Sequence, residues 1–523
     1  MALGAFKTAL LGAAGSAAGA LGYVLLWGDP DNSGGVSAET YPGDMEFLAS
    51  GTAIRVGGRF GTSASNSSRI ATGNLNLSGG YSSAPTSTTE QNGWNFTHNS
   101  PTYSMVNNNK GAMWIDGSDN HYSCGQIYDA SYGYYNQGVV KMSSSQSVDW
   151  NVTYKANNSN PSGCLNGVIW KSESSGYVGM MATVYDTRNG TSKQRYQMLG
   201  LDDSDGSVTH GMVAKPTDDT TTYSMTNGNP QRSNFNGDKF ATTGGHFSSA
   251  GYQMIAPMLW TAQATAFSND WTIGNQSIRN QSTSGSSIYA GGVCIDSSNN
   301  VYVLSSFGAK AISSPYTPNN VAITKYTAAG GYSWTYVMRQ QAGGESTSIS
   351  SGGIAISADG NDLFVTGSSS KIGGSNSSPF ISKLDVSGST PTLTWINQYA
   401  SASYNCYSSN CKLMGTDTVL SFGYGQTDPT ANVLGVLVAA NQDGSSLGTA
   451  SVDSIAWSAI DLSPYIVFAD GASGGTTNVN IFNETGVTFT YATGTETTAG
   501  ATPTWTNGTV TPTILVESGG IEE

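Results

Sequence analysis

Residues 291–308, GGVCIDSSNNVYVLSSFG, and residues 321–334, VAITKYTAAGGYSW, are followed by a second copy of the same pattern. The second copy reads GGIAISADGNDLFVTGSSS at 352–370 and FISKLDVSGSTPTLTW at 380–395. The matched pairs are Ile295 with Ile356, Lys325 with Lys383, and Trp334 with Trp395. A repeat of about sixty residues therefore organises this part of the chain.

Each copy reads as one small antiparallel sheet. In the first copy, apolar and small residues alternate up to Ile295, and residues 296–300 (DSSNN) have the composition of a tight turn. Residues 301–304 return as a second strand, 323–326 supply a third, and Trp334 opens a fourth. A four-stranded unit that recurs along the chain is typical of a β-propeller blade.

The tryptophans extend the repeat beyond these two copies. Residues 111–122 align without a gap with residues 291–302, and a subset of the tryptophans recurs at similar intervals, with one Trp missing near position 211. That subset is Trp27, Trp94, Trp150, Trp271, Trp334, Trp395 and Trp457. We predict an all-β fold, a propeller of about seven four-stranded blades with eight as the alternative. The predicted blade-core residues are Ile115, Ile295, Ile356, Trp150, Trp271, Trp334, Trp395 and Trp457.

The order of these elements resembles the β-propeller repeat proteins of bacteria and phages. The shared pattern is a Trp strand, a Gly-rich turn, a small apolar strand, Asp-x-x-x-Asn, an aromatic strand and hydrophobic-x-Lys; residues 291–395 carry it best. The opening MALGAFKTALLGAAGS (1–16), followed by such blades, resembles virion structural proteins of tailed marine bacteriophages, especially cyanophages. This second resemblance implies a tail-associated protein that forms homo-oligomers in the assembled particle.

Composition and charge narrow the classes of partner. Only 11% of the residues are charged, against about 25% in an average protein, and the formal net charge is −14. An acidic chain does not neutralise phosphates, so we expect no nucleic-acid partner. The five cysteines match no zinc pattern, and we expect neither a metal nor a cofactor. Cys406 and Cys411 flank a short loop that a disulfide could close, and the sequence leaves their redox state open.

The N-terminal segment allows three interpretations. Residues 9–26 carry no charge, which is compatible with an export signal or membrane anchor, a plain structural strand, or a docking segment. We favour a docking segment at 1–26 that contacts other virion proteins, with the propeller at 27–516 and a surface tail at 517–523. The ring has to be closed by a terminal strand, supplied either by the chain around Trp27 or by residues near the C-terminus.

Aromatic clusters are the best candidates for a binding surface. Tyrosines crowd two loops near Asn and Ser residues, a combination that can stack on sugar rings and bond their hydroxyl groups. The predicted glycan-binding residues are Tyr132, Tyr134, Tyr135, Tyr404 and Tyr407. The alternative is that these rings fill gaps between blades.

We find no catalytic pattern in the sequence and predict no catalytic residues. The four histidines lack metal-ligand spacing, two GxSxG matches are expected by accident in so Gly-rich a chain, and the acids at 202–205 are explained by turn formation. Together with the resemblance to phage virion proteins, this leads us to expect a non-enzymatic virion protein, a tail or tail-fibre appendage whose loops contact the host surface, with a surface glycan as the candidate partner there. The alternative is a secreted or surface-anchored bacterial propeller that binds glycan.

Overall fold

The fold is described from a computed structural model. The residues it describes are 22–27, 38–62, 69–82, 86–97, 111–129, 134–145, 147–154, 164–186, 193–216, 230–247, 253–263, 267–271, 277–280, 288–308, 319–340, 349–370, 376–401, 403–426, 433–452, 455–471, 481–484, 489–493, 506–510 and 517–521. Within these ranges the chain forms β-strands and two short 3-10 turns, Gly80–Ser82 and Ser463–Tyr465, and no α-helix.

The strands form seven antiparallel sheets arranged as the blades of a β-propeller. A first strand, β1 (Gly22–Trp27), precedes the blades. Blade 1 contains β2 (Ala38–Phe47), β3 (Ala53–Thr62), β4 (Arg69–Asn76) and β5 (Thr86–Thr97). Blade 2 contains β6 (Met113–Ile115), β7 (His121–Asp129), β8 (Tyr134–Met142) and β9 (Val148–Tyr154). Blade 3 contains β10 (Cys164–Lys171), β11 (Tyr177–Asp186), β12 (Lys193–Asp202) and β13 (Val208–Pro216).

The remaining four blades follow in the same way. Blade 4 contains β14 (Gln231–Asn236), β15 (Lys239–Phe247), β16 (Gln253–Ala262), β17 (Phe267–Asn269) and β18 (Ser277–Asn280). Blade 5 contains β19 (Ile288–Ile295), β20 (Val301–Gly308), β21 (Asn319–Tyr326) and β22 (Tyr332–Gln340). Blade 6 contains β23 (Ile349–Ile356), β24 (Asp362–Ser370), β25 (Ser377–Asp385) and β26 (Thr392–Ser401). Blade 7 contains β27 (Asn405–Met414), β28 (Thr418–Gln426) and β29 (Val433–Asn441), and β1 is its fourth strand.

The ring is therefore closed by the N-terminal chain, the first of the two alternatives. Backbone pairing joins β1 to β29 from Gly22 opposite Ala440 to Trp27 opposite Gly435. Because the fourth strand of the last blade comes from the start of the chain, the two ends of the ring cannot separate without breaking a sheet.

The C-terminal chain forms a belt around the outside of the ring. Its strands are β30 (Gly448–Val452), β31 (Ile455–Asp461), β32 (Ile466–Asp470), β33 (Ile481–Glu484), β34 (Phe489–Thr493), β35 (Thr506–Val510) and β36 (Glu517–Ile521). They add outer strands to blades 6, 5, 4, 3, 1 and 7 in that order, so the belt runs against the order of the blades. An outer strand covers the exposed edge of a blade, which otherwise invites pairing with another chain. Among the described strands, none pairs with the outer edge of β9 in blade 2.

These pairings change the expected domain boundaries. Residues 22–26, assigned from sequence to a separate docking segment at 1–26, lie inside blade 7. The expected surface tail at 517–523 contains β36, which pairs with β1. Residues 22–27 and 517–521 are thus part of one sheet, and the reason is that each segment supplies backbone hydrogen bonds to an edge that would otherwise be open.

The Asp-x-x-x-Asn turn of the repeat has a defined hydrogen-bonding role. Asp296 accepts bonds from the backbone amides of Ser298 and Asn300, both at 2.9 Å, and from the side-chain amide of Asn300 at 2.8 Å. Asn299 adopts a φ of +63°, a region that Asn tolerates better than most residues. The blade 2 copy, at Asp116, forms the same bonds. The carboxylate therefore fixes the hairpin that joins the first two strands of these blades.

The repeated lysine and tryptophan lie side by side on the third and fourth strands. In blade 6, Lys383 pairs with Trp395 in the register, and its Nζ lies 5.7 Å from the ring centroid of Phe364 on the neighbouring strand. In blade 5, Lys325 has the same relation to Trp334 and lies 5.0 Å from the ring of Tyr302. In both blades the lysine ammonium group thus lies over an aromatic ring of the second strand, a cation–π contact.

Several tryptophans pack against a glycine turn of the next blade. Trp395 lies so close to Gly444, whose φ is +85°, that a Cβ there would be 2.6 Å from the indole. Trp150 and Trp271 have the same relation to Gly206 and Gly330 in blades 3 and 5. These tryptophans of the repeat therefore pack into the interfaces between successive blades.

Not every tryptophan of the spacing pattern takes this place. Trp27 is the last residue of β1 and pairs with Gly435 near the start of β29. Trp94 pairs with Ile70 near the start of β4. Trp457 belongs to the belt strand β31 and stacks on Tyr404. The expectation that these three share the repeat position is wrong. Trp27 and Trp94 lie towards the end of the fourth strand of their blades, and Trp457 lies on a belt strand outside the four-stranded blade.

The remaining predicted core positions are placed as follows. Ile295 is buried, Ile115 and Trp334 are each 8% exposed, and Ile356 is only partly buried. Near the position where the spacing lacks a tryptophan, His210 packs against Phe267 of blade 4, with ring centroids 4.7 Å apart. A smaller aromatic ring thus fills the gap between blades 3 and 4.

Buried cysteines are free thiols in the described structure. Cys406 and Cys411 lie five positions apart on the single strand β27, which spans roughly 15 Å in an extended chain. A disulfide needs Cα atoms about 4.4–6.8 Å apart. The loop disulfide left open by the sequence is therefore not formed, because the two residues belong to one strand.

Candidate functional site

The innermost strands of five blades enclose a polar cavity near the centre of the ring. Its volume is about 290 Å³, and its walls come from β2, β14, β19, β23 and β27. Ligand sites commonly span roughly 300–1,000 Å³, so this cavity is at the small end of the range. It suits one small molecule or one unit of a larger one.

Paired glycines bring the walls of the cavity close together. A Cβ on Gly353 would lie 2.3 Å from the backbone nitrogen of Cys411, and one on Gly291 would lie 2.2 Å from the hydroxyl of Ser351. No side chain can occupy these positions without moving the neighbouring strand. The Gly-Gly pairs that open each copy of the repeat are therefore required by the close approach of the innermost strands.

Two carboxyl groups enter the cavity from β2. Asp44 and Glu46 are two positions apart in an extended strand, which places both side chains on the same face. Met45 points to the opposite face and is fully buried among the residues that join blades 1 and 7. The alternation of β2 thus directs an acidic pair to the centre of the ring and an apolar side chain to the core.

Glu46 accepts hydrogen bonds from two cations that come from different blades. Its Oε1 lies 2.9 Å from Nη2 of Arg232 on β14, and its Oε2 lies 2.7 Å from Nζ of Lys412 on β27. Blades 1 and 4 are three positions apart, the largest separation in a ring of seven. The pair with Arg232 therefore crosses the centre of the propeller.

Asp44 is almost fully buried, at 2% exposure. Its carboxyl group accepts from the backbone amide of Met113 at 3.3 Å and from the side-chain amide of Asn410. Burial, reinforced by the neighbouring charge of Glu46, raises the pKa of Asp44 to about 7, although Lys412 and Arg232 act in the opposite direction. At neutral pH this acid can either hold or accept a proton, the property required of a general acid or base.

Arg232 is held in place by an aromatic ring. Its guanidinium carbon lies 4.5 Å from the ring centroid of Trp114, and Nη1 donates to the backbone oxygen of Ser233 at 2.9 Å. The side chain is 4% exposed, and its Nε has no hydrogen-bond acceptor within the described part of the chain. The cation is thus oriented by stacking and is not saturated by its partners.

A second polar cluster lies between blades 2 and 3 and is saturated. Lys171 donates to Asp116 at 2.9 Å and forms an ion pair with Asp203 at 3.1 Å, while the hydroxyl of Tyr122 donates to both acids. Although burial opposes ionisation, bonds from Asn120 and Lys171 lower the pKa of Asp116 to about 2. These groups bind one another, so we assign them a structural role at the blade interface.

The tyrosines predicted to bind glycan do not form one surface in the described structure. Tyr404 is 4% exposed and stacks on Trp457, while Tyr407 is partly buried and stacks on Tyr424 with centroids 4.9 Å apart. The alternative, filling gaps between blades, describes Tyr404, whose partner belongs to the blade 6 sheet, whereas Tyr407 stacks within its own blade. Tyr132 and the side chains of Tyr134 and Tyr135 lie outside the described residues.

Among the described residues, the His, Cys, Asp and Glu side chains form no group of three that could hold a metal ion. The same part of the chain contains no helix long and apolar enough to cross a membrane.

Comparison with solved structures gives matches of low similarity. The periplasmic gluconolactonase of Pseudomonas aeruginosa is 11% identical, with a TM-score of 0.31 over 80% of this chain and 98% of that one. An ulvan lyase bound to a GlcA–Rha3S unit is 9% identical, with a TM-score of 0.44 over 76% and 96%. The propeller domain of the trilobed protease from Pyrococcus furiosus is 10% identical, with a TM-score of 0.35 over 76% and 94%. No family model and no curated protein matches the sequence.

These neighbours contradict the prediction that the chain is not an enzyme. Besides the lactonase and the lyase, they include an exo-β-1,3-galactanase from Phanerochaete chrysosporium and a GH43_12 protein from a capybara gut metagenome. The prediction relied on the absence of a sequence motif, but the cavity assembles its polar groups from separate blades. At this level of similarity the comparisons do not indicate a reaction.

The central residues were missed by sequence reasoning. Asp44 and Glu46, Arg232, and Lys412 lie in three short stretches that carry no shared motif. One signal was available, since Gly43–Phe47 places two acids at alternate positions of a strand in a chain with only 11% charged residues. Because the first strand of a propeller blade lies innermost, charges on that strand indicate a polar site at the centre of the ring.

Proposed function

We propose that the protein is a carbohydrate-binding propeller that carries out acid–base chemistry on a saccharide in its central cavity. The observation that carries the proposal is the buried acid Asp44 beside Glu46, with donors and acceptors from five blades around a small cavity. A hydroxyl-rich ligand uses both donors and acceptors, and a cleft acid with a raised pKa is a candidate for proton transfer.

In this proposal each side chain has a separate task. Asp44 holds or takes the proton at the reacting oxygen, while Glu46 keeps Arg232 and Lys412 in position. Asn410, which donates to Asp44, orients that carboxyl group. The two carboxyl groups are largely shielded from bulk water, because Asp44 and Glu46 are 2% and 8% exposed.

The test is the release of reducing ends from a panel of neutral and acidic polysaccharides. We expect the intact protein to act on at least one of them, and Asp44→Asn to lower the rate by roughly 100-fold or more, the usual contribution of a general acid or base. Asp362→Asn is the matched control, since Asp362 pairs with Lys383 at the blade periphery. Equal rates for the wild type and Asp44→Asn would remove Asp44 from the mechanism.

A place on a bacteriophage virion is a second candidate, favoured by the belt. Outer strands cover the edges of six blades, which suits a protein that must withstand exposure outside a cell without pairing with its neighbours. In this role the propeller is part of a tail or tail fibre, meets other virion proteins through the N-terminal residues, assembles as a homo-oligomer and contacts a host surface glycan.

Immunogold electron microscopy tests the location. Antibody raised against residues 291–395 is applied to purified phage particles and to the envelope of the presumed host. Label at one place on the particle supports the virion role. Label confined to uninfected cell envelopes supports a secreted or surface-anchored propeller.

A further inference from the structure

The charges that line the central cavity are not balanced at neutral pH. Two cations, Arg232 and Lys412, converge on one carboxylate, Glu46. The other acid, Asp44, is only about half ionised at pH 7 because burial raises its pKa to about 7. The four groups together therefore carry a net positive charge in a chain whose overall formal charge is −14.

Both cations retain capacity for another acceptor. Lys412 makes its ion pair with Glu46, and its side chain is 26% exposed where it borders the cavity. Arg232 is 4% exposed, and none of the described residues accepts a hydrogen bond from its Nε. Arg232 lines the cavity, so its positive charge favours an anionic group there although its Nε is itself buried.

The fixed geometry favours an anion over a second neutral hydroxyl. Trp114 holds the guanidinium from one side, and Glu46 holds it from another. An anionic group placed between Lys412 and Arg232 would form charge-assisted bonds in a site largely shielded from water, where such bonds are strongest. The position is also supplied with an uncharged amide, Asn410, which can orient the rest of the ligand.

We propose that the central cavity takes a saccharide unit that carries one negative charge, a uronate carboxylate, with Lys412 as the main contact and Arg232 as the supporting cation. This inference rests on the proposed function and specifies its substrate class. It assigns a recognition role to two residues whose contacts would otherwise be purely structural.

The experiment is calorimetric titration of the intact protein with sodium glucuronate and, separately, with glucose, each at low and high NaCl concentration. We expect glucuronate to bind at least tenfold more tightly than glucose, and its affinity to fall as salt rises. Lys412→Gln should remove most of that preference. Lys239→Gln is the matched control, because it removes a lysine that pairs with Asp270 away from the cavity.

The possible outcomes separate this inference from the function it rests on. Equal binding of glucose and glucuronate, unchanged in Lys412→Gln, overturns the anionic substrate class and leaves a sugar-binding cavity. Binding of neither sugar overturns both. A preference for glucuronate that Lys412→Gln and Lys239→Gln leave equally intact places the anion at another site and overturns the assignment of Lys412. Circular dichroism and thermal unfolding of both variants check that each is folded.

Discussion

Glu46 of blade 1 and Arg232 of blade 4 are joined by a 2.9 Å ion pair across the centre of the ring, although they are 186 positions apart in the sequence. Lys412 of blade 7 bonds the other oxygen of the same carboxylate. One side chain therefore links three blades at the point where the cavity lies. The charged centre both stabilises the closed ring and supplies the polar groups of the candidate site.

Removing the carboxylate of Glu46, which Arg232 and Lys412 share, should lower the stability of the fold. Glu46→Gln leaves Arg232, which is 4% exposed, without its anionic partner, and an uncompensated buried charge typically costs about 3–5 kcal/mol. We expect the free energy of unfolding in urea to fall by that amount. The control is Asp362→Asn, whose pair with Lys383 is more exposed and should be worth less than about 1 kcal/mol. Equal effects of the two substitutions would mean that the central pair is not buried in solution.

Asp44 should make the free energy of unfolding fall as pH rises, the opposite of the usual effect of an aspartate. Its pKa is raised from 3.8 to about 7, so between these values the folded state binds a proton that the unfolded state has lost. The contribution of Asp44 is therefore fully present below about pH 4, is lost as pH rises towards 7, and is constant above that. Asp44→Asn should flatten the pH dependence of the melting temperature over this window.

The charged groups that face Asp44 are the same in the wild type and in Asp44→Asn. Glu46, Lys412 and Arg232 remain, so the difference between the wild type and the variant isolates the titration of Asp44. Parallel melting curves from pH 4 to pH 8 would show that Asp44 titrates near its ordinary value. If Asp44 is the general acid, the reaction rate should also decline above about pH 7.

The contact between Trp395 and Gly444 predicts a graded series of glycine substitutions. Gly444→Ala adds a Cβ 2.6 Å from the indole at a φ of +85°, whereas Gly237→Ala adds one in open space at a φ of +58°. Left-handed backbone alone costs roughly 1–2 kcal/mol, so Gly237→Ala should lose about that amount. Gly444→Ala should lose clearly more, measured by urea unfolding. A similar loss in the two variants would show that the indole moves freely.

Trp395 itself offers a second measure of the blade contact. It is 8% exposed and donates from Nε1 to the backbone oxygen of Gln442 at 3.2 Å. Trp395→Ala should lower the free energy of unfolding by about 3–5 kcal/mol, the usual cost of truncating a core aromatic residue. A loss within experimental error would argue against the register of the repeat.

The C-terminal belt should stabilise the closed ring and protect its outer strand edges. A chain that ends at residue 510 lacks β36, which pairs with β1 over Gly22–Leu26 and covers the edge of the strand that closes the ring. We expect faster cleavage by protease and self-association on size-exclusion chromatography, because a free strand edge pairs with other chains. A truncated protein as resistant and as monodisperse as the full chain would show that β1 needs no cover.

The blade was predictable from sequence, whereas the belt and the cavity were not. Turn residues such as Asp296 and Asn300 act over short distances and therefore leave a local pattern, and the glycine pairs recur because neighbouring inner strands approach each other in the same way. The belt strands pair with edges far away in the chain, and their residues follow no blade repeat. Lys412 reaches Glu46 over 366 positions, a relation that exists only once the ring is closed.

The central claim, that the polar cavity at the middle of the ring is the functional site, is tested most directly by a crystal structure of the protein soaked with glucuronate. The account predicts density for the sugar inside the cavity, with its carboxylate within hydrogen-bond distance of Lys412 and its hydroxyl groups near Asp44 and Asn410. Sugar bound only outside the cavity, for example against Tyr407, with water alone inside it, would contradict it.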